Sequence, residues 1–161
     1  MPHSVPSPNI RQTQLFINGQ WIPSQSGKTF DTINPANEEV IAQVAEGDAV
    51  DVECAVEAAR RAFDEGPWPR LNARERGKIM HRFCDLIDEE IDELAAIESL
   101  DNGKPLKDAR HVDIPLAVEC IRYYAGWADK IQGTTIPVNG DFLCYTRREP
   151  VGVPGQIIPW N

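Results

Sequence analysis

The spacing of apolar residues changes near residue 46. Before it, apolar residues come in short runs broken by turn residues. Leu15-Phe16-Ile17 and Gln20-Trp21-Ile22 flank Asn18-Gly19. That arrangement predicts a hairpin, because Asn and Gly tolerate the positive φ of a tight two-residue turn. Thr29 to Ile33 reads as a further short strand, stopped by Asn34-Pro35, and Val40 to Ala45 as another. Together they predict a small antiparallel unit.

The helical period then takes over. Asp48 suits an N-cap, with Asp51 in the first turn. Val52, Ala55, Val56, Ala59 and Phe63 recur at helical spacing until Gly66-Pro67. Asn72 and Glu75 form the next capping-box pattern. Ile79, Phe83, Ile87, Leu94 and Ile97 mark one face of a single long helix. Asp88, Glu89, Glu90, Asp92 and Glu93 lie mainly on the other side, as a solvated face. Asn102-Gly103 ends this helix and Pro105 prevents its continuation. A third helix is expected from about Asp108 to about Lys130, with Pro115 kinking it or starting a new segment.

Thr135 to Val138 and Phe142 to Arg148 read as strands around an Asn139-Gly140 turn. Val151 to Asn161 is apolar enough to be a buried strand. A parallel strand needs crossover partners, and none follow it here. The expectation is therefore a chain cut off inside a sheet, with an unpaired edge.

Composition adds limits. The chain has 161 residues, enough for one domain, and a compact fold of 18.0 kDa would bury roughly 70% of the unfolded surface. Hydrophobic residues make up 42% and charged residues 25%, which argues against global disorder. A net charge of −9 disfavours nucleic-acid binding. The pairs Arg60-Arg61 and Arg147-Arg148 read as solvated charge. No run approaches a membrane span. Residues 1–14 are polar and rich in Pro and Ser, without the apolar core of a secretory signal. They are expected to be a flexible arm on a soluble cytoplasmic protein. Cys54, Cys84, Cys120 and Cys144 are widely spaced without a Cys-x-x-Cys pair, which predicts reduced, mostly buried thiols. His3, His81 and His111 are isolated from one another and suggest no metal site.

Five stretches share one resemblance. They are Leu15-Phe-Ile-Asn-Gly-Gln-Trp21, Asn34-Pro-Ala-Asn-Glu-Glu-Val-Ile41, Leu100-Asp-Asn-Gly-Lys-Pro105, Tyr123-Tyr-Ala-Gly-Trp-Ala-Asp-Lys130, and Arg148-Glu-Pro-Val-Gly-Val153 with Gln156-Ile-Ile-Pro-Trp-Asn161. In order and spacing they resemble the N-terminal part of the aldehyde dehydrogenase superfamily. The implied fold class is α/β and truncated. It comprises small antiparallel strands, three helices, an arm strand and the first strand of a Rossmann-like sheet. Residues 15–161 would form a partial domain, with about 139–150 as an oligomerisation strand.

The resemblance implies oxidation of an aldehyde to a carboxylic acid with NAD, NADP being possible, through a cysteine thiohemiacetal and a glutamate-activated water. It implies a homo-oligomer, dimeric or tetrameric, with no nucleic-acid or membrane partner. Asn161 matches an asparagine whose amide donates to the developing oxyanion; without the motif before it, a cap or turn role would be preferred. Ile157, Ile158, Pro159, Trp160 and Asn161 match a strand end that contacts the cofactor, and core packing is compatible with some of them. Val112 and Leu116 match positions lining the substrate entrance, or are plain core. Asp101, with backbone oxygen near Thr32 and Ile33, matches a monovalent cation site. The other reading of Asp101 is local hydrogen bonding in a last helical turn.

None of the four cysteines matches the family's nucleophile, whose motif lies downstream, as does the general-base glutamate. Gly152-x-x-Gly155 is no phosphate loop, since no helix follows it. The chain is expected to be inactive alone. The alternative is a non-catalytic truncated subunit that associates with a full-length aldehyde dehydrogenase.

Overall fold

The computed structural model describes residues 8–158. Strands β1 (Leu15–Ile17) and β2 (Gln20–Ile22) form the expected hairpin. Asn18 and Gly19 take φ of 53° and 76°, and two left-handed residues give a turn whose twist matches the strands. Phe16 and Trp21 face each other across the pair, ring centroids 4.9 Å apart. Strands β3 (Thr29–Ile33) and β4 (Val40–Ala45) pair antiparallel as a separate sheet, with a register shift between Thr32 and Ile33. Part of the segment expected to be a free arm is held in place. Pro8 is buried, the Asn9 N–H donates to Glu93 Oε1 at 3.1 Å, and the Thr13 carbonyl accepts from Ala45 N–H.

Helix α1 (Ala49–Asp64) begins with a capping box. Asp48 accepts from the N–H groups of Val50 and Asp51, and Asp51 Oδ2 accepts from Asp48 N–H at 3.0 Å. The other oxygen of Asp51 accepts from Gln25 N–H at 2.9 Å. Two backbone donors therefore satisfy a carboxylate that is almost fully buried.

The single long helix expected from the apolar face is two helices. α2 (Ala73–Glu89) and α3 (Ile91–Asn102) meet at Glu90, whose φ is −106° and ψ 17°. The acidic run explains the break. α2 has no basic residue in its last turn, where a carboxylate opposes the helix dipole. Restarting the helix puts Asp92 and Glu93 in a first turn, where negative charge is favoured. The Asn72 cap forms through Arg74 N–H, but Glu75 pairs with Lys78 rather than closing a capping box.

The third helix is also divided. A short α4 (Leu106–Asp108) leads into a π turn (Ala109–Asp113) and then α5 (Ile114–Ala125). Pro115 supplies the reason. It has no N–H, and its ring would meet the carbonyl of the residue four back in a regular helix. The wide turn just before it lets Ile114 N–H reach the Ala109 carbonyl, five residues back. Helical structure ends in a turn after Ala125, short of the expected Lys130.

Helices α2 and α5 pack closely. A Cβ on Gly77 would lie 2.9 Å from the Ala125 carbonyl oxygen, and the buried Cys84 thiol sits 3.7 Å from the Val118 carbonyl. Arg122 of α5 donates to Asp88 at 2.7 Å and Asp85 at 3.0 Å on α2, and these carboxylates raise its pKa.

The last segments depart from expectation. Only β5 (Thr135–Ile136) and β6 (Cys144–Tyr145) pair, so the expected strand from Phe142 to Arg148 is confined to two residues. Residues 151–158 form no strand, and Val151 and Ile157 are fully exposed. The strand itself does not form, and the segment is left exposed and unpaired, as expected of an edge without crossover partners: among the described residues no strand offers it a ladder of hydrogen bonds.

The core is correspondingly small. Its buried apolar residues are Ala58, Cys84, Ala95, Ala96, Ala109, Val118 and Ala125. The accessible surface is 12801 Å², against roughly 8,000 Å² for a compact protein of this mass, so about half of the unfolded surface is buried, not 70%. Ile79 and Phe83, expected to face inward, are half exposed. Cys120 is exposed, contrary to the expectation of a buried thiol.

Candidate functional site

The end of β3 and the end of α3 meet. Thr32 Oγ1 donates to Asp101 Oδ1 at 2.7 Å, across 69 residues of sequence. Gly103 closes α3 with φ 80°, and a Cβ there would lie 2.7 Å from Pro35 Cγ. Of the residues expected at a cation site, Thr32 and Asp101 are thus brought together, and Ile33 follows Thr32 at the strand end. The hydrogen bond at Asp101 is long-range, which replaces the reading of a purely local acceptor. The donor set is oxygen only, the chemistry a hard cation prefers. Among the described residues no group of three or more His, Cys, Asp or Glu side chains could hold a metal ion.

Val112 lies in the π turn and Leu116 on α5, and both side chains are exposed, at 47% and 56%. Within residues 8–158 neither is packed as core. The turn bearing Val112 is tied to its neighbours by two ion pairs. Arg110 Nε donates to Asp92 Oδ1 on α3 at 2.5 Å, and Lys104 Nζ donates to Asp113 Oδ2 at 2.7 Å. Both side chains of the second pair are two-thirds covered. The hydrogen bond to Asp113 holds the Lys104 pKa above the ordinary lysine value. Lys104 is itself anchored, because the buried Ser99 hydroxyl donates to its carbonyl at 2.7 Å. Neither tie is legible from spacing along the chain, because both depend on a turn width that Pro115 only hints at.

Ile157 and Ile158 are exposed and outside any strand. Pro159, Trp160 and Asn161 lie outside the described residues. An open cleft of about 970 Å³ precedes this segment, lined by Phe63, Trp68, Ile131, Arg148, Val153 and Pro154 among others. None of the site residues expected from sequence lines it. Its walls come from three separate stretches, so spacing along the chain carries no signal for it.

The aldehyde dehydrogenase family model matches residues 21–161. The mitochondrial aldehyde dehydrogenase of Homo sapiens is 55% identical over 163 residues, covering 98% of this chain and 32% of the human protein. Aldehyde dehydrogenase family 2 member B4, mitochondrial, of Arabidopsis thaliana is 54% identical, covering 97% of this chain and 29% of its own length. An aldehyde dehydrogenase of Bacillus cereus, solved as an NAD+ complex, superposes with a TM-score of 0.85 at 49% identity, covering 88% of this chain and 29% of that one. The chain thus spans about a third or less of the relatives it matches. Both curated relatives are mitochondrial by name, so they lend no support to a cytoplasmic placement. No helix among the described residues is long and apolar enough to cross a membrane. With the match running from β2 through to Asn161, the chain belongs to the aldehyde dehydrogenase family.

Proposed function

We propose that this chain is the N-terminal part of an aldehyde dehydrogenase that oxidises an aldehyde to a carboxylic acid with NAD or NADP. The observation that carries the reading is its likeness, at a TM-score of 0.85 and 49% identity, to an aldehyde dehydrogenase solved with NAD+. That likeness also favours NAD. The nicotinamide ring, when bound, accepts a hydride. The residues here that would lie against the cofactor are Ile157, Ile158, Pro159, Trp160 and Asn161. Ile157 and Ile158 fit that role as exposed apolar side chains. Asn161 donates its amide N–H to the oxygen on which negative charge develops. Val112 and Leu116 offer an apolar surface to the carbon chain of the aldehyde. Asp101, with the main-chain oxygens of Thr32 and Ile33, holds a monovalent cation that fastens β3 to α3.

The thiol nucleophile and the general base belong to sequence beyond Asn161, so this chain alone is inactive. The assembled protein is a homo-oligomer that uses residues 139–150. The exposed Phe142, Leu143 and Tyr145 beside the two-residue β6 favour a second reading, in which the short chain joins full-length subunits through that edge. Co-elution with an intact relative supports that second reading, and separate elution removes it.

The first reading is tested by exchange. Residues 15–161 replace the matched segment of the human relative, and aldehyde-dependent NADH formation is measured. Activity supports the proposal. A folded, NAD-binding exchange protein without aldehyde oxidation contradicts it.

A further inference from the structure

We infer that Lys104 is a positioning residue that sets which aldehydes the entrance admits, by fixing the π turn that carries Val112. The inference rests on the proposed entrance role of Val112 and Leu116.

The π turn is the irregular element of this face. Its wide hydrogen bond, from Ile114 N–H to the Ala109 carbonyl, leaves it without the regular ladder that stiffens an α-helix. Side-chain ties take up the task. Ala109 is fully buried at one end of the turn. Arg110 reaches Asp92 on α3, and Asp113 at the other end receives Lys104. The Lys104 tie stands apart in two respects. Its partner, Asp113, directly follows Val112 and is the N-cap of the helix bearing Leu116. Its own backbone is held by Ser99 and lies between Gly103, which packs against the Pro35 ring at a left-handed φ, and Pro105, whose ring fixes its φ. A lysine on a fixed backbone, paired with the residue between two exposed apolar side chains, constrains where those side chains stand. An ordinary structural ion pair would affect all substrates equally. A positioning pair affects those whose carbon chain reaches Val112 and Leu116.

The experiment uses the exchange protein in three forms: Lys104 intact, Lys104→Met and Lys104→Arg. kcat and KM are measured for acetaldehyde and for a bulky arylacetaldehyde. In parallel, amide exchange at residues 109–113 is followed in the 161-residue chain. The expected result for Lys104→Met is faster exchange at 109–113 and at least about a fivefold change in the ratio of the two KM values. kcat for acetaldehyde stays within about twofold, and Lys104→Arg restores the ratio. An unchanged ratio, or an equal loss for both aldehydes, overturns the inference. Val112→Ala and Leu116→Ala separate the two claims. If they leave the ratio unchanged, the entrance reading fails. If they change it and Lys104→Met does not, only the inference fails. Should Lys104→Met not fold, Asp113→Asn removes the same charge pair with little change of shape and decides the matter in the same way.

Discussion

Thr32 and Asp101 are joined by a 2.7 Å hydrogen bond that fastens the β3–β4 sheet to the last turn of α3. Directly beside it, Gly103 comes against Pro35. Two stretches that look unrelated in sequence, Asn34-Pro35 and Asp101-Asn102-Gly103, are therefore one contact in space.

This contact predicts a graded series of stabilities. Gly103→Ala meets both a left-handed φ and the Pro35 ring, and is expected to cost about 1–3 kcal/mol. Thr32→Val removes one hydrogen bond to a carboxylate that remains, and should cost about 1–2 kcal/mol. Urea unfolding midpoints check both. A Gly103→Ala chain as stable as the parent would contradict the described approach.

The buried carboxylate of Asp51 makes a second case. It accepts from two backbone N–H groups and joins α1 to the turn after β2. Asp51→Ala removes two hydrogen bonds to a buried carboxylate and is expected to cost about 2–4 kcal/mol, at about 1.5–3 kcal/mol for each bond to a charged group less what water recovers at the exposed Gln25 and Asp48. Asp48→Ala removes an exposed cap and should cost about 1 kcal/mol. Equal losses for the two variants in urea titrations followed by circular dichroism would count against this ranking.

The Lys104–Asp113 pair predicts a pH dependence with a definite sign. Asp113 raises the Lys104 pKa in the folded protein. The contribution of the pair is therefore complete below the ordinary lysine pKa and is lost as pH rises through the raised value. Arginine stays protonated at far higher pH. Lys104→Arg is thus expected to lose less thermal stability than the parent between about pH 9 and 12. Tm measured across that interval should show the two curves diverging towards high pH. Parallel curves would contradict the pairing.

The exposed surface makes a fourth prediction. The excess over a compact protein is about 4,800 Å², well beyond the roughly 1,600 Å² of a standard interface. The pure chain is expected to self-associate at micromolar concentration and to bind a hydrophobic dye. Sedimentation velocity checks this, and a monodisperse monomer without dye binding would oppose it. The same preparation should form no NADH with aldehyde.

Local signals carried the first half of the fold. Asn18-Gly19 fixed the hairpin, and Asp48 with Asp51 fixed the start of α1, because turns and caps are written in adjacent residues. The break at Glu90 and the π turn before Pro115 were not foreseen as such. Each is a compromise between a continuous apolar period and a local cost, charge in one case and a missing N–H in the other. Residues 151–158 form no strand for a different reason. An apolar run states a need for partners, and the described residues provide none. At the candidate site, Thr32 and Asp101 were legible only through resemblance, whereas the ties around Val112 required the fold itself.

The central claim is that this chain supplies the oxyanion donor and the entrance face of an aldehyde dehydrogenase. The most direct measurement compares the exchange protein with its Asn161→Ala form. NADH formation from acetaldehyde is followed under saturating NAD. kcat is expected to fall about 10²- to 10³-fold while NAD affinity and oligomeric state are kept. An Asn161→Ala protein with unchanged kcat would contradict the account.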